Sequence, residues 1–353
     1  MINIKGVVIV SNPKNGNILA MVSTPGYDPN LFMNNNRNNN LNILLKNINH
    51  PLVNRAIQGI YPPASTVKPY LSLIALNFNL INENTILFDP GWWKIPKINQ
   101  FYKDWKKKGH GYLNIIKAIQ ESSDSFFYQL SYNIGINKIH QWMTKFGYGK
   151  LTNIDLFDEK IGNMPTKKWK FNNIQLPWYL GDTILVGIGQ SYWNATPIQI
   201  HNALTILINN GMSKALHIYQ KRKLNNIFYY YLPSKDKKII DLPIKYWDIV
   251  KLGMYNVANK KQGTMYKYFS SANYHIAAKT GTAQVFNLKN IKKCNVKSIK
   301  KKLRDHKLII AFAPFEDPKI AITIIIENSN ISIGYITRKI FDYIFKHKEK
   351  FLI

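Results

Sequence analysis

The chain has 353 residues, of which 46% are hydrophobic, 13% aromatic and 19% charged. A chain of that size and composition buries a sizeable core, in one large domain or two lobes, which excludes a disordered polymer. The formal net charge of +29 would draw any polyanion, but Lys, Asn, Ile and Tyr are all abundant, as drift in an A/T-rich genome also produces, so the charge names no partner.

The single cysteine, Cys294, rules out an internal disulfide. The opening stretch, residues 1–10, has too short an apolar run for a signal peptide, and Pro13 follows it closely. No window reaches the length of a membrane span, so the sequence by itself predicts neither an export signal nor an anchor.

Two apolar runs, residues 7–10 and 18–22, flank the turn sequence Asn12-Pro-Lys-Asn-Gly16 and predict a β-hairpin. The Asn-rich residues 34–42 read as a solvated loop. From about Ser65 to Asn209 the spacing is helical: Ile115, Ile116, Ile119, Phe126, Phe127 and Leu130 recur at helical intervals around residues 122–125. Thr196-Pro197 opens another helix over residues 198–208. Strands return at residues 274–285, 308–314 and 320–327, the last two separated by the turn Phe315-Glu-Asp-Pro-Lys319, and residues 333–347 close the chain as a helix.

The simplest arrangement puts the first hairpin and the late strands in one antiparallel sheet, about residues 1–60 and 265–353, with a helical lobe of about residues 61–264 inserted. The basic stretch from Lys289 to Lys307 reads either as a solvated face or as a patch for anionic wall or lipid.

Three short motifs carry chemistry. In Tyr61-Pro-Pro-Ala-Ser65-Thr-Val-Lys68 the prolines suit a helix entry, and Lys68 falls one turn after Ser65 on the same face. A serine becomes a nucleophile only with a base at hand, and a lysine with a lowered pKa can supply one. Glu121-Ser122-Ser123-Asp124-Ser125 offers a second hydroxyl and an acid for a proton relay. Lys279-Thr280-Gly281-Thr282 lies on a predicted strand; Gly281 lets a substrate backbone approach, and Lys279, Thr280 and Thr282 suit a carboxylate. Alone, each has a bland explanation in N-capping, helix-start clustering or edge-strand protection. Together, in the order S-x-x-K, S-x-D, K-T-G, they are close to the set shared by class A β-lactamases and penicillin-binding proteins, where S-D-N is the middle member.

The chain resembles the transpeptidase domain of the penicillin-binding protein 2 family, the elongation-specific peptidoglycan D,D-transpeptidases. The likeness runs nearly end to end through Thr24-Pro-Gly-Tyr-Asp-Pro-Asn30, residues 61–70, Phe88-Asp-Pro-Gly-Trp-Trp93, residues 187–199 and residues 303–308. It implies an α/β (α+β) fold: a central antiparallel five-stranded sheet flanked by helices, with an inserted all-helical lobe. It also implies Ser65 as nucleophile, Lys68 as its base, Ser122 with Asp124 in the relay, and Lys279, Thr280, Gly281 and Thr282 at the substrate carboxylate. No cofactor is implied for catalysis.

Relatives can hold a zinc with Asp, Asp, His and Cys; Asp89, Asp104 and His110 match three of these and Ser123 stands at the cysteine position, so the resemblance implies either a zinc site weakened by the lost thiolate or a hydrogen-bonded structural cluster. The implied partners are stem peptides ending in D-Ala-D-Ala, β-lactam inhibitors, an elongation-complex glycosyltransferase and shape proteins, with no nucleic acid. The implied place is the periplasmic face of the inner membrane, although the family's membrane helix and pedestal domain are absent from this sequence. Rival readings are a serine D,D-carboxypeptidase or β-lactamase, for which Glu159 lies in the right part of the chain but in a setting, Asp158-Glu159-Lys160, that does not match the expected motif, and a non-catalytic shape-complex scaffold.

Overall fold

The computed structural model describes residues 4–33, 36–231, 236–284 and 304–351. Cys294, Leu303 and nearly all of the basic stretch 289–307 lie outside them.

Five strands form one antiparallel sheet: β1 (Gly6–Ser11), β2 (Ile18–Thr24), β3 (Ala277–Ala283), β4 (His306–Ala313) and β5 (Ile320–Ile326), in the spatial order β3-β4-β5-β1-β2. The first hairpin therefore joins the late strands as the sequence implies. Ile9 pairs with Thr323 and Lys279 with Ile310. Every residue of β5 is buried, as befits a near-continuous apolar strand with helices packed on it. The helices Pro197–Ile208 and Ile333–Lys346 both pack on that strand.

The helix Pro197–Ile208 starts where Thr196 and Gln199 form a reciprocal capping box with Pro197 in the first turn. It is pinned to the sheet by His201, buried between two hydroxyls: Nδ1 lies 3.0 Å from Thr323 Oγ1 and Nε2 2.7 Å from Ser11 Oγ. Burial pushes His201 down from its ordinary 6.5 to about 3, so the ring is neutral.

The remaining helices fill the lobe between β2 and β3. Two features there depart from the sequence reading. The residues expected to be a solvated loop include the helix Arg37–Lys46, of which only Leu44 is buried; one apolar anchor among asparagines leaves almost no periodic signal. The lobe expected to be all-helical also holds, among its described residues, four short two-stranded ribbons, such as Leu87–Asp89 with Gly111–Leu113 and Trp92–Lys94 with Phe101–Lys103. Strands of two to four residues are too short to show alternation.

The helix Ile244–Asn259 packs against β3 and against the helix Ile115–Glu121. Gly253 makes the close crossing possible, because a Cβ there would stand 2.9 Å from Ile119. That contact carries the end of the helix Ile115–Glu121, and with it Ser122, to the edge strand β3.

Candidate active site

Ser65 lies in a 3-10 turn, Ala64–Val67, that runs directly into the helix Lys68–Asn77. Side chains three apart eclipse in such a turn, so Ser65 and Lys68 share a face. The residue before Ser65 is strained: Ala64 has φ 51, the left-handed region that a side chain disfavours. The Ala64 N–H donates to the Gly189 carbonyl at 2.8 Å. Gly189, at φ 70, comes so near that a Cβ would stand 2.6 Å from the Ala64 nitrogen. Ser65 is half-buried and Lys68 completely buried. The Ser65 hydroxyl makes no hydrogen bond among the described residues, whereas the other three expected groups are tied together.

Their hub is Ser122. The helix Ile115–Glu121 ends on it in the left-handed conformation, φ 59 and ψ 37, and the next helix, Asp124–Ile134, begins two residues later with Ser123 as its cap. The Ser122 carbonyl accepts from Lys68 Nζ at 2.8 Å and from the Trp105 indole N–H at 3.2 Å. Its hydroxyl takes Lys68 Nζ at 3.3 Å and Lys279 Nζ at 2.7 Å. Lys68 Nζ also meets the Asp124 carboxylate at 2.6 Å and stands 5.3 Å over the Phe127 ring.

Two wholly buried lysines thus share one carboxylate, which leaves the cluster with a positive excess when both are charged. Burial, then the neighbouring Lys68 charge, drive Lys279 well below its ordinary value, and Asp124 offsets only part of this.

On β3, successive side chains alternate across the strand. Lys279 and Gly281 are buried, Thr280 is half-buried and Thr282 is exposed. The Gly281 position is filled by the turn Ala64–Val67: a Cβ would come within 3.2 Å of Thr66 Cγ2 and 3.3 Å of Ala64 Cβ. Its lack of a side chain therefore serves the approach of turn to strand, a role the sequence reading did not give it. Thr280 shares its hydroxyl with Thr264 at 3.0 Å, and Gln190 Nε2 donates to the Thr282 carbonyl at 3.0 Å. Trp105, Gly189, Gln190 and Thr264 are site neighbours that motif spacing missed; each comes from a loop with no periodicity to read.

Beside the hub, Asp89, Asp104 and His110 converge, their donor atoms all within 4.8 Å of one another. Asp89 Oδ2 meets His110 Nδ1 at 2.6 Å and Ser123 Oγ at 2.7 Å. Asp104 Oδ2 accepts the Ser125 N–H at 2.8 Å. Burial alone would raise Asp89, but hydrogen bonds from His110, Ser123 and the Gly91 N–H outweigh it and hold that carboxyl low. Asp104 is pushed up by burial, then by Asp124 and Asp89. The buried His110 Nε2 has no hydrogen-bond partner among the described residues. Two carboxylates and an imidazole at this spacing fit a divalent zinc, with the neutral Ser123 hydroxyl where a thiolate would bind more strongly.

Glu159, the acid weighed for a hydrolytic reading, is engaged by its own loop. Its carboxylate accepts from Thr152 N and Oγ1, both at 2.8 Å, and from Asn153 N at 3.2 Å.

The same architecture recurs in known proteins. The peptidoglycan D,D-transpeptidase MrdA of Escherichia coli (strain K12) is 49% identical over 342 residues, which make up 96% of this chain and 54% of that protein. The chain spans about half the length of the curated relatives it matches. Among solved structures, the PBP2 of Helicobacter pylori in complex with MreC superimposes with a TM-score of 0.85 at 31% identity, covering 98% of this chain and 60% of that one. The PBP2 of Pseudomonas aeruginosa in complex with WCK 5153 gives 0.82 at 33%, covering 96% and 70%. The family model of the penicillin binding protein transpeptidase domain matches residues 6–346, and the chain belongs to that family.

Proposed function

We propose that this chain is the catalytic domain of an elongation-type peptidoglycan D,D-transpeptidase. The observation that carries the reading is the Ser122 hydroxyl, held between Lys68 and Lys279 at the foot of the turn that presents Ser65. In this reading residues of about 1–60 and 265–353 form the sheet lobe, and those of about 61–264 the inserted lobe.

The substrate is a stem peptide ending in D-Ala-D-Ala. Its terminal carboxylate docks near Lys279, Thr280 and Thr282. A negative charge there favours the protonated form of Lys279, so a proton moves from Lys68 through the Ser122 hydroxyl to Lys279. Lys68 is then a free amine and takes the proton of Ser65 as Oγ attacks the penultimate D-Ala carbonyl carbon. The backbone N–H groups of Ser65 and Thr282 receive the oxyanion, each such donor contributing about 3 kcal/mol to the transition state. Collapse breaks the C–N bond, Ser122 relays a proton to the departing D-Ala amine, and the acyl group stays on Ser65. The amine of a neighbouring stem attacks next, forming the cross-link amide and restoring the serine. Glu159's engagement by its own loop supports transfer to an amine over hydrolysis.

Asp89, Asp104 and His110 are the residues that would hold a structural zinc. A bound zinc would fix the start of the helix Asp124–Ile134 and so steady Ser122 and Asp124, without entering the reaction. The working place in this reading is the periplasmic face of the inner membrane. The partners are a glycosyltransferase and shape proteins, of which the MreC bound to the Helicobacter pylori relative is an example.

Labelled penicillin tests the proposal. Wild-type protein should form one stable adduct at Ser65, and Ser65→Ala none. Rapid turnover of the drug would point to a β-lactamase, and no adduct with wild type to an inert scaffold.

A further inference from the structure

Residues 221–230 form a hairpin that buries nothing. Its strands, Lys221–Leu224 and Ile227–Tyr230, pair only with each other, and all eight strand residues are exposed. The turn is Asn225-Asn226, both at positive φ, as a tight hairpin needs. An isolated two-stranded ribbon is at best marginal in water. This one is anchored at its base: the Asp155 carboxylate accepts the N–H groups of Ile218 and Tyr219 at 2.8 and 2.7 Å, and the His217 ring stacks on Tyr231 at 4.1 Å.

Its chemistry is one-sided. Residues 218–231 contain Lys221, Arg222 and Lys223 and no acid. The register sets Lys221 opposite Tyr230, Arg222 opposite Tyr229 and Lys223 opposite Phe228. Lys221 Nζ stands 5.0 Å from the Phe228 ring centre and the Arg222 guanidinium 5.3 Å from that of Tyr229. Each face of the ribbon therefore offers an aromatic ring with a cation beside it. Monomeric proteins seldom leave such a cluster open to solvent unless it meets a ligand. None of these ring and cation contacts reaches the residues of the acylation cleft.

We propose that this hairpin is a second binding site for the glycan–peptide polymer, apart from the cleft that reacts with it. The rings stack on the C–H faces of sugar units, while Lys221, Arg222 and Lys223 meet stem-peptide carboxylates with charge-assisted hydrogen bonds. A lipid surface suits the hairpin less, because its outermost residues are two asparagines and not apolar side chains. The inference rests on the function proposed above, in that the polymer is the one named there. A second grip on the strand would raise the local concentration of stems at Ser65 without adding a contact in the cleft.

The test is co-sedimentation of the purified chain with insoluble peptidoglycan, using wild type, the triple variant Lys221→Ser/Arg222→Ser/Lys223→Ser, and the double variant Phe228→Ser/Tyr230→Ser. Both variants should bind about tenfold more weakly, the loss typical of truncated anchor residues. Labelling of Ser65 by penicillin should be unchanged in both, which also shows that they fold. Binding equal to wild type in either variant overturns the proposal; if only the cation variant is weakened, bulk charge explains the attraction and the stacking site is rejected. Tighter binding of wild type to anionic phospholipid vesicles or to single-stranded nucleic acid, lost in both variants, also overturns it. A chain that binds the polymer through the hairpin yet takes no penicillin would leave this site standing and reject the transpeptidase reading instead.

Discussion

Lys279 Nζ and Ser122 Oγ lie 2.7 Å apart although 157 positions separate them in the chain. The contact joins the edge strand of the sheet to the junction of two helices in the inserted lobe, and it makes the serine hydroxyl, among the described residues, the side-chain bridge between the two buried amines. Removing that hydroxyl severs the proton path while leaving the carbonyl contacts of residue 122 in place. Ser122→Ala should therefore acylate with penicillin on the order of 100-fold more slowly, the scale of a lost general acid–base group. Stopped-flow labelling measures it, and a urea midpoint close to that of wild type would show the loss to be chemical.

Asp124 pairs with Lys68 at 2.6 Å and offsets part of the charge felt by Lys279. Asp124→Asn leaves the buried Lys68 without its ion-pair partner, a change of the kind that costs about 3–5 kcal/mol when one partner of a buried pair is removed. Urea denaturation at neutral pH should show it. The deficit should shrink as the pH rises, because Lys279, already lowered, gives up its proton more readily than a free lysine.

His201 predicts an acid limit for the fold. Its value in the folded protein is about 3, against 6.5 ordinarily. Above about 6.5 it is neutral folded or unfolded and contributes no pH dependence. Between about 6.5 and 3 the unfolded chain binds the extra proton, so stability falls as the pH falls, by about 1.4 kcal/mol per unit through this one group. Denaturation midpoints of wild type and His201→Gln, taken from pH 7 to pH 4, should differ in slope, with the variant flatter.

Gly189 meets the backbone of Ala64, the residue before Ser65, and has φ 70. Gly189→Ala meets both a backbone clash and the left-handed penalty, so a loss above about 1 kcal/mol is expected. Because the displaced partner is the nucleophile turn, acylation should fall by more than the unfolded fraction explains. Comparing the thermal midpoint with the labelling rate separates the two.

The Asp89–Asp104–His110 cluster predicts a gain of function. Ser123→Cys places a thiolate beside both carboxylates and should hold zinc more tightly than wild type does. Competition with a coloured chelator reads the difference, and equal affinities would remove Ser123 from the ligand shell.

Much of this was legible in the letters. The hairpin of β1 and β2 announced itself through two apolar runs around Asn-Pro-Lys-Asn-Gly, and the helix Pro197–Ile208 through Thr196-Pro197. The three motifs located Lys68, Ser122 and Lys279, which the fold joins by hydrogen bonds. What stayed hidden depends on distance in space. That Gly281 leaves room for Ala64 and Thr66, that Trp105 reaches the Ser122 carbonyl, and that Ser122 is left-handed follow from how the lobes pack. The ribbons and the helix Arg37–Lys46 were missed because too few of their residues face the core to impose a period.

The left-handed Ser122 also bears on biosynthesis. Its hydroxyl needs Lys279, and β3 leaves the ribosome long after the turn with Ser65 and the helix with Lys68. Until that strand docks, the nascent chain has a serine and a lysine but no closed relay. In the function proposed above, the relay closes only once β3 has docked, so that covalent drug capture would double as a report that the last strands have found their places.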